Sequence, residues 1–341
     1  REILLFLQSL LRQPFVKTVL LIFVILTILL VPVPWLITKI TPSADPGHFG
    51  KSSQTAPFAL AEIPKKVTVW RTASHKTETV DFEDYVKGVL PYEMSGSWPI
   101  EALKAQALCA RTYAASHFNA NDYYGFDVTN DTYSQVYRGL NSATSTSDAA
   151  VDATAGIYIL YKGEPITAMY CSSNGGATEN SENVMSSAVG YLRGKVDSFE
   201  AAAASINANS SWTYTFTRQE LAAKANTLGF SIASADKIEL TYSDTGNVIG
   251  IKLTDSNGRS ASFSKSSCYN FCTSTLGIKS ISFEIKENGD SVTFIGSGWG
   301  HSLGLSQFGA YAMAKTYGFT YDQIVNFYFT DITLARATYT N

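Results

Sequence analysis

The chain has 341 residues, of which 45% are hydrophobic and 16% are charged, and its formal net charge is −3 at pH 7. This is the composition of an ordinary globular protein with room for one large domain or two. The small negative charge and the lack of a basic run argue against a nucleic-acid-binding protein.

The N-terminal part of the chain carries a long apolar segment. Residues 18–37 form a run of twenty residues without charge, which is long enough to cross a bilayer as a helix. The flanking basic residues weakly favour an N-terminus on the inside. A cleaved signal peptide is the alternative, but its apolar region would be shorter and no A-x-A site directly follows. We predict a cytosolic tail at 1–17, an uncleaved anchor at 18–37 and a flexible linker at 38–66.

Two predicted helices flank Glu93. The first covers 81–90, where apolar residues recur at helical spacing, and Pro91 is expected to end it. The second begins near Ser97 with Pro99 in its first turn, where a missing N–H costs nothing. A Glu in a turn between packed helices can be rigid and partly dry, and both conditions raise a carboxyl pKa and suit a general acid. A solvated turn residue is the alternative, and spacing alone favours it.

The rest of the chain predicts an α+β fold with mixed sheets. Alternating apolar residues predict strands, and apolar residues three or four apart predict helices. The predicted strands are 67–70, 157–161, 166–170, 212–216, 237–242, 248–253, 260–263, 281–285 and 291–295, and the predicted helices are 147–155, 218–228, 303–315 and 321–329. Polar segments at 124–137 and 172–183 predict loops. A change of pattern at about 205–285 predicts a small inserted β-rich subdomain.

Four cysteines follow the linker. Cys109 lies on the second predicted helix and is typical of a small buried apolar residue. Cys268 and Cys272 are four residues apart, and on a helix they could form a local disulfide in an oxidising compartment. As half of a zinc site they lack a second close Cys or His pair.

Three segments resemble the signature motifs of the SpoIID/LytB family. They are EMSGSWPIEALKAQALCARTYA at 93–114, ILYKGEPITAMYCSSNGGATENSENV at 159–184 and GSGWGHSLGLSQFGAYAMAKTYGFTYDQIVNFYF at 296–329. They occur in the family's order, which is far more specific than one short motif. The resemblance implies a SpoIID-like catalytic domain at 67–341, with the catalytic helix beside Glu93 and the 205–285 subdomain inserted between the two halves of the site.

The activity that this resemblance implies is that of a lytic transglycosylase, which cleaves the MurNAc–GlcNAc bond of peptidoglycan. Glu93 would be the sole acid and base, since the MurNAc C6 hydroxyl attacks C1 and closes a 1,6-anhydro ring. No water enters, so the second carboxylate of ordinary glycosidases is not needed. The next acid, Glu101, is better explained as an exposed charge in the first turn of a helix.

By the same resemblance, polar residues and glycines line a cleft around Glu93. The predicted substrate-binding residues are His301, Ser306, Gln307, Ser172, Ser173, Gly175 and Gly176. On its own, a His in this Gly-rich stretch is more typical of a structural hydrogen-bonding group, and the Ser and Gly loop is equally typical of a turn. Trp299 can stack on a sugar or belong to the core, and we favour the core.

One loop departs from the family pattern. Some members bind zinc through Cys and His residues after the catalytic helix, but the matching stretch here is DVTNDTYSQVY at 127–137. Thr129, Tyr133 and Ser134 stand where those ligands would be. We therefore predict no metal at this loop, which hydrogen bonds from these three residues would hold instead.

Two other functions are compatible with the sequence. Some family members are described as amidase modifiers, so a non-catalytic cell-wall-binding protein is the main alternative, although Glu93 favours the enzyme. A cysteine peptidase built on Cys171 and His301 would need the thiol within hydrogen-bond reach of the imidazole, and no activating pattern surrounds the cysteine.

The resemblance also implies a cellular setting. We expect a single-pass membrane protein whose catalytic domain faces the cell wall and cleaves strands stripped of stem peptides during engulfment in sporulation. The expected partners are peptidoglycan glycan strands, the membrane, and the sporulation stage II proteins P and M. We expect no cofactor and no nucleic acid.

Overall fold

The computed structural model describes residues 56–58, 65–118, 121 and 124–337. These residues belong to one compact unit, Phe49–Asn341. The predicted tail, the predicted anchor and most of the predicted linker lie outside the described residues. Within the described ranges, no helix is both long enough and apolar enough to cross a membrane.

Helices and strands are mixed along the described chain. The helices are α1 (Phe82–Glu93), α2 (Ile100–Ser116), α3 (Ser145–Ala153), α4 (Ser181–Val184), α5 (Arg218–Asn226), α6 (Ser266–Asn270), α7 (Gln307–Tyr317) and α8 (Tyr321–Tyr328), with 3-10 turns at Leu140–Ser142 and Glu200–Ala203 and a π turn at Phe271–Leu276. The strands are β1 (Ala56–Phe58), β2 (Lys66–Arg71), β3 (Lys76–Asp81), β4 (Val128–Thr129), β5 (Ile157–Tyr161), β6 (Glu164–Pro165), β7 (Tyr170–Cys171), β8 (Trp212–Thr217), β9 (Lys237–Tyr242), β10 (Val248–Thr254), β11 (Ser260–Ser264), β12 (Phe283–Asn288), β13 (Ser291–Gly296), β14 (Leu305–Ser306) and β15 (Thr333–Ala337).

The strands form several small sheets rather than one large one. Their orders are β1-β15-β5-β6, β3-β2-β4, β12-β13-β8, β11-β10-β9 and the pair β14-β7. Strand β1 lies in the predicted linker and pairs in parallel with β15. The sheets are of mixed character, because β1-β15, β2-β4 and β14-β7 are parallel and the other pairings are antiparallel. These findings confirm an α and β fold with mixed sheets.

Glu93 is the last residue of α1, which packs against α2. The apolar face predicted for the first helix is buried, and so is most of α2, whose alanines allow close packing. Inside this packing lies Arg111, fully buried, with its guanidinium paired to Glu83 at 2.7 Å. Arg111 also donates to the Val151 and Ile157 carbonyls at 3.3 and 3.4 Å. Through the ion pair and these two hydrogen bonds, Arg111 joins α2 to α1, α3 and β5.

The end of α1 differs from the sequence prediction. Pro91 does not stop the helix but lies inside its last turn, so Glu93 is the final helical residue rather than part of a turn. A proline lacks the N–H for one helical bond, but the Met94 N–H still donates to the Leu90 carbonyl at 2.9 Å and closes the turn. The last helical turn is where such a loss is easiest to tolerate.

Two further boundaries were predicted wrongly. Of the expected strand 166–170, only Tyr170 pairs, within β7, and the expected helix 303–315 begins instead at Gln307 with α7. The cause is the parallel pair β7-β14, which holds the chain before α7 extended. Gly304 allows this approach with a φ of +66°, because a Cβ there would lie 2.1 Å from the Met169 carbonyl oxygen.

The sheets β11-β10-β9 and β12-β13-β8 contribute to an apolar cluster that is distinct from the packing of α1 on α2 and is here called the second apolar cluster. The three strands predicted at 237–263 are confirmed, and the strands predicted at 281–285 and 291–295 correspond to the antiparallel pair β12 and β13. The cluster draws on residues from Val184 to Leu303, including Trp212, Leu221, Ile251, Phe263, Phe271, Phe283 and Phe294. It therefore includes side chains on both sides of the predicted insert.

All four cysteines are buried free thiols. Cys268 lies in α6 and Cys272 in the π turn that follows, and the Cys268 thiol donates to the Val248 carbonyl at 3.9 Å. No disulfide joins this pair in the structure, and both sulfurs pack in the second apolar cluster.

Candidate active site

Glu93 lies where two cavities meet. The first, here the loop cavity, has a volume of about 420 Å³ and is lined by residues 132–136 of the polar loop. The second, here the glycine cavity, has a volume of about 380 Å³ and is lined by Trp299, Gly300 and Gln307 of the Gly-rich stretch. Both are lined in common by Glu93, Thr132, Tyr170 and His301. A ligand in either cavity would therefore meet Glu93.

Three donors bind the Glu93 carboxyl group. The Gln307 amide donates to it at 3.3 Å from the start of α7. The Tyr170 hydroxyl and the Val136 backbone N–H also donate to it. Glu93 is thus held between α1, β7, the polar loop and α7, which are distant in sequence.

Burial raises the pKa of Glu93 above its ordinary value, even though the bonds from Gln307, Tyr170 and Val136 lower it. All three donors are neutral, so none supplies the positive charge that strongly favours a carboxylate. A larger fraction of this carboxyl group is therefore protonated at a given pH than in an exposed Glu. This is the property that a general acid requires.

A chain of hydrogen bonds continues behind Glu93, and the sequence did not reveal it. The Gln135 amide donates to the Tyr170 hydroxyl at 3.2 Å, and the Tyr85 hydroxyl donates to the Gln135 carbonyl oxygen at 3.1 Å. Tyr85 is fully buried and Tyr170 is partly buried, and this loss of water raises the pKa of both hydroxyls well above the ordinary value and keeps them protonated as donors. Tyr170 directly precedes the Cys-Ser-Ser loop, a position that could have marked it.

His301 lines both cavities as a neutral imidazole. Its Nδ1 accepts from the Leu303 N–H at 3.0 Å, so the other ring nitrogen carries the proton and donates to the Tyr170 carbonyl. Burial lowers the pKa of His301 to about 4. His301 therefore fixes the backbone of Tyr170 and contributes no positive charge near neutral pH.

Ser306 and Ser173 lie beside the site but do not line either cavity. Both are fully buried, and both donate to the carboxylate of Glu200, Ser306 at 2.5 Å. The Asn174 and Gly175 backbone N–H groups donate to the same carboxylate at 3.0 and 3.3 Å. Glu200 thus ties the 172–176 loop to the start of α7. No sequence motif marked Glu200 for this role.

Ser306 also caps α7. Its hydroxyl accepts from the Gly309 N–H at 3.2 Å while donating to Glu200. Gln307, which binds Glu93, is the first residue of this helix. Glu200 therefore positions the Gln307 side chain through the cap.

A second buried carboxylate, Asp197, supports Glu200. The Asn174 amide and the Tyr328 hydroxyl donate to Asp197 at 2.8 and 2.7 Å. Burial raises the pKa of Asp197 and of Glu200, and in the described part of the chain neither forms an ion pair. Neutral donors alone satisfy both groups.

The 172–176 loop contributes Ser172 to the glycine cavity. Gly175 and Gly176 lie behind it with φ angles of +72° and +104° and do not line either cavity. A Cβ on Gly175 would lie 2.6 Å from the Ser297 carbonyl oxygen, so this glycine lets two backbones approach each other.

Trp299 is not a core residue, which corrects the interpretation that we favoured. Its side chain is 55% exposed and lines the glycine cavity. Its backbone is paired with Ser173 in both directions, at 2.8 and 3.2 Å, so the exposed ring stands on a fixed segment.

The polar loop 127–137 is held by hydrogen bonds, as expected for two of the three named residues. The Thr129 N–H and hydroxyl both bind the Ser134 hydroxyl, at 3.1 and 3.2 Å. Tyr133 contributes only its backbone N–H, to Asp131, and its side chain is 90% exposed at the loop cavity. In the ranges that the structure describes, no group of three Cys, His, Asp or Glu residues is placed to hold a metal.

Cys171 does not have the surroundings of a nucleophile. Burial, with the nearby Glu200 as a smaller cause, raises the pKa of its thiol to about 12. Both nitrogens of the His301 ring are occupied by backbone groups, so the ring does not activate the thiol. The geometry does not support a cysteine peptidase.

Comparison with known proteins gives consistent matches. Residues 71–161 match the SpoIID family, described as stage II sporulation protein. Stage II sporulation protein D of Bacillus subtilis is 32% identical over 294 residues, which cover 82% of this chain and 81% of the relative. An uncharacterized protein of Brachyspira hyodysenteriae is 36% identical over 259 residues, which cover 74% of this chain and 66% of the relative.

A third relative carries a different name. The amidase enhancer of Bacillus subtilis is 33% identical over 296 residues, which cover 73% of this chain but only 40% of the relative. The match to stage II sporulation protein D extends over most of both proteins. The chain therefore belongs to the SpoIID family.

Proposed function

We propose that this protein is a peptidoglycan lytic transglycosylase in which Glu93 is the sole acid and base. The observation that carries the proposal is the position of Glu93 at the junction of two cavities, with a pKa raised by burial. Among the described residues that line these cavities, Glu93 is the only Asp or Glu. A reaction that needs one carboxyl group fits this site better than hydrolysis, which uses two.

The reaction can be written with Glu93 alone. Its protonated carboxyl group gives a proton to the glycosidic oxygen as the bond from that oxygen to C1 of MurNAc breaks. The carboxylate then takes the proton from the C6 hydroxyl, whose oxygen bonds to C1 and closes the 1,6-anhydro ring. Glu93 ends protonated again, and the bonds from Gln307 and Tyr170 stabilise its charged intermediate state.

The setting that we propose follows the names of the relatives. One of them is called stage II sporulation protein D, which favours a role in sporulation. We place the described region on the cell-wall side of the membrane, with residues 18–37 as its anchor and denuded glycan strands as its substrate. Sporulation stage II proteins P and M are the proposed partners.

A non-catalytic role is the second candidate, favoured by the match to an amidase enhancer. In that case the two cavities would bind glycan strands without cleaving them. The exposed Trp299 and Tyr133 side chains suit binding in either function.

The test is to incubate the full chain with denuded glycan strands, beside Glu93→Gln, and to identify the ends by mass spectrometry. We expect anhydro-MurNAc ends from the wild type and at least about a hundredfold fewer from the variant, the usual effect of losing a general acid. Binding without cleavage by both proteins would favour the amidase-enhancer type of function. Equal cleavage by both would reject Glu93 as the acid.

A further inference from the structure

The Trp299 side chain is exposed at the glycine cavity. The indole is 55% exposed, and its backbone is bound to Ser173. Sugar rings have one face of C–H groups that packs well against a flat aromatic surface, and a ring that is already fixed loses little entropy on binding. The position is therefore suited to stack one ring of a glycan.

The ammonium group of Lys279 lies over this ring in a cation–π contact. Its ammonium nitrogen is 5.7 Å from the centre of the Trp299 ring, and its carbonyl accepts from the Gly300 N–H at 3.1 Å. The ammonium donates to the Asn209 side-chain oxygen at 2.8 Å, and Asn209 is neutral. In the part of the chain that the structure describes, Lys279 takes part in no ion pair. Its positive charge is thus held in place but not neutralised.

The described side chains that line the two cavities supply no positive charge. The described residues that line them include no Lys and no Arg, and His301 is neutral because burial lowers its pKa to about 4. Lys279 therefore places a positive charge at the edge of a site that otherwise lacks one. An anionic group on a ring stacked at Trp299 would meet this charge.

We propose that Trp299 and Lys279 form a subsite for an amino sugar that carries a free carboxylate. The ring stacks on the indole and the carboxylate accepts from the ammonium group. In the glycan strands of the proposed function, on which this inference rests, MurNAc carries a lactyl carboxylate when no peptide is attached. An attached peptide turns that carboxylate into a neutral amide, so the subsite distinguishes stripped strands from peptide-bearing ones.

Binding measurements on the full chain carrying Glu93→Gln test the subsite while the strands stay intact. Three oligosaccharides of equal length are compared: alternating GlcNAc–MurNAc with free carboxylates, the same strand with primary amides, and a GlcNAc-only strand. We expect the first to bind best. Adding Lys279→Gln should weaken the first about fivefold, the effect of one charge-assisted hydrogen bond at a partly exposed site, and leave the other two unchanged.

Trp299→Ala should weaken all three strands by up to about tenfold, because stacking does not depend on the carboxylate. Lys279→Arg should keep the preference for free carboxylates, and Lys286→Gln, on the exposed side of β12, should change nothing. Equal binding of free and amidated strands by the Glu93→Gln chain, or a preference that survives Lys279→Gln, would overturn the subsite. Cleavage plays no part in this measurement, so the absence of anhydro products would reject the proposed function and leave the subsite standing.

Discussion

The pKa of Glu93 results from a competition between burial and three neutral donors. Burial raises the pKa, and the bonds from Gln307, Tyr170 and Val136 lower it by a smaller amount. Glu182 shows the opposite balance, because it pairs with Arg193 at 2.6 Å and its pKa falls to about 2. The pKa of Glu93 is therefore raised because burial outweighs three neutral donors, and this balance depends on the fold rather than on the motif.

Replacing Gln307 tests this balance. Gln307→Met removes a donor that favours the carboxylate, so the pKa of Glu93 should rise further. Since the general acid must be protonated at the start, activity is lost as the pH rises through this pKa. We expect the alkaline limb of the kcat/KM profile to move to higher pH, with kcat falling about tenfold for the lost transition-state bond.

The pH profile of anhydro-product release measures this shift. A limb that stays in place or moves to lower pH would contradict the assignment of Glu93 as the titrating acid. His301→Gln is the matched control, since a neutral His cannot be responsible for the limb, and that variant should lower activity without moving it.

The charged form of Glu93 should also lower the free energy of unfolding. Its folded-state pKa lies above the ordinary value of 4.5, so the charged form is less favourable in the folded state. This cost is absent below the unfolded-state pKa and is fully present once the pH has passed the folded-state pKa. Glu93→Gln should therefore raise the Tm at neutral pH by about 2–4 °C and leave it unchanged near pH 3.

Thermal unfolding followed by circular dichroism at the two pH values checks this prediction. Glu284→Gln, on the exposed part of β12, is the control and should have no effect at either pH. A lower Tm for Glu93→Gln at neutral pH would mean that the carboxylate stabilises the fold.

At the scale of elements, the start of α7 and the 172–176 loop are joined by Glu200. The hydrophobic pattern predicted most helices and strands, because those elements pack one apolar face. It could not predict that residues 305–306 form a strand, since that depends on pairing between β14 and β7, which lie far apart in sequence. It also gave no reason to pick Glu200, whose partners are brought to it only by the fold.

Glu200→Gln tests this junction. Four donors converge on the carboxylate, and an amide would turn an N–H₂ group toward some of them. We expect the free energy of unfolding to fall by about 1–3 kcal/mol, the cost of buried donors without acceptors. Because the cap of α7 loosens, Gln307 should lose its fixed position, and the alkaline limb of the pH profile should move in the same direction as in Gln307→Met.

Chemical denaturation and the pH profile of Glu200→Gln give the two readouts. A loss of stability with an unchanged pH profile would show that Glu200 supports the fold without positioning Gln307. The exposed Glu284→Gln again serves as the control for a Glu to Gln change.

At the scale of the whole molecule, the site is assembled from four distant segments. The resemblance named Glu93 and His301, which line both cavities, and Gln307, which lines the glycine cavity. Tyr170 and Gln135 were not predicted, because their hydrogen bonds arise only when β7 and the polar loop meet. A single sequence indicates which segments matter but not which of their side chains touch.

The proposed insert at 205–285 leads to a prediction at this scale. The second apolar cluster, which contains most of the buried side chains of this insert, also includes Val292 and Phe294 of β13 and Leu303. These three residues follow the insert in sequence. Strand β13 is also the central partner of β8 and β12. We expect a 205–285 fragment to show no cooperative thermal transition, and a 205–303 fragment to show one, because only the longer fragment contains β13, which pairs with β8 and supplies Val292 and Phe294 to the cluster. A cooperative transition in the shorter fragment would contradict this expectation.

The most direct test of the central claim is cleavage of denuded strands in water enriched in oxygen-18, with the new ends identified by mass spectrometry. If Glu93 works alone and the C6 hydroxyl is the nucleophile, the new ends are anhydro-MurNAc, lighter than reducing ends by one water and free of the label. Reducing ends that carry oxygen-18 would contradict the claim, because they would require an activated water and a second catalytic group.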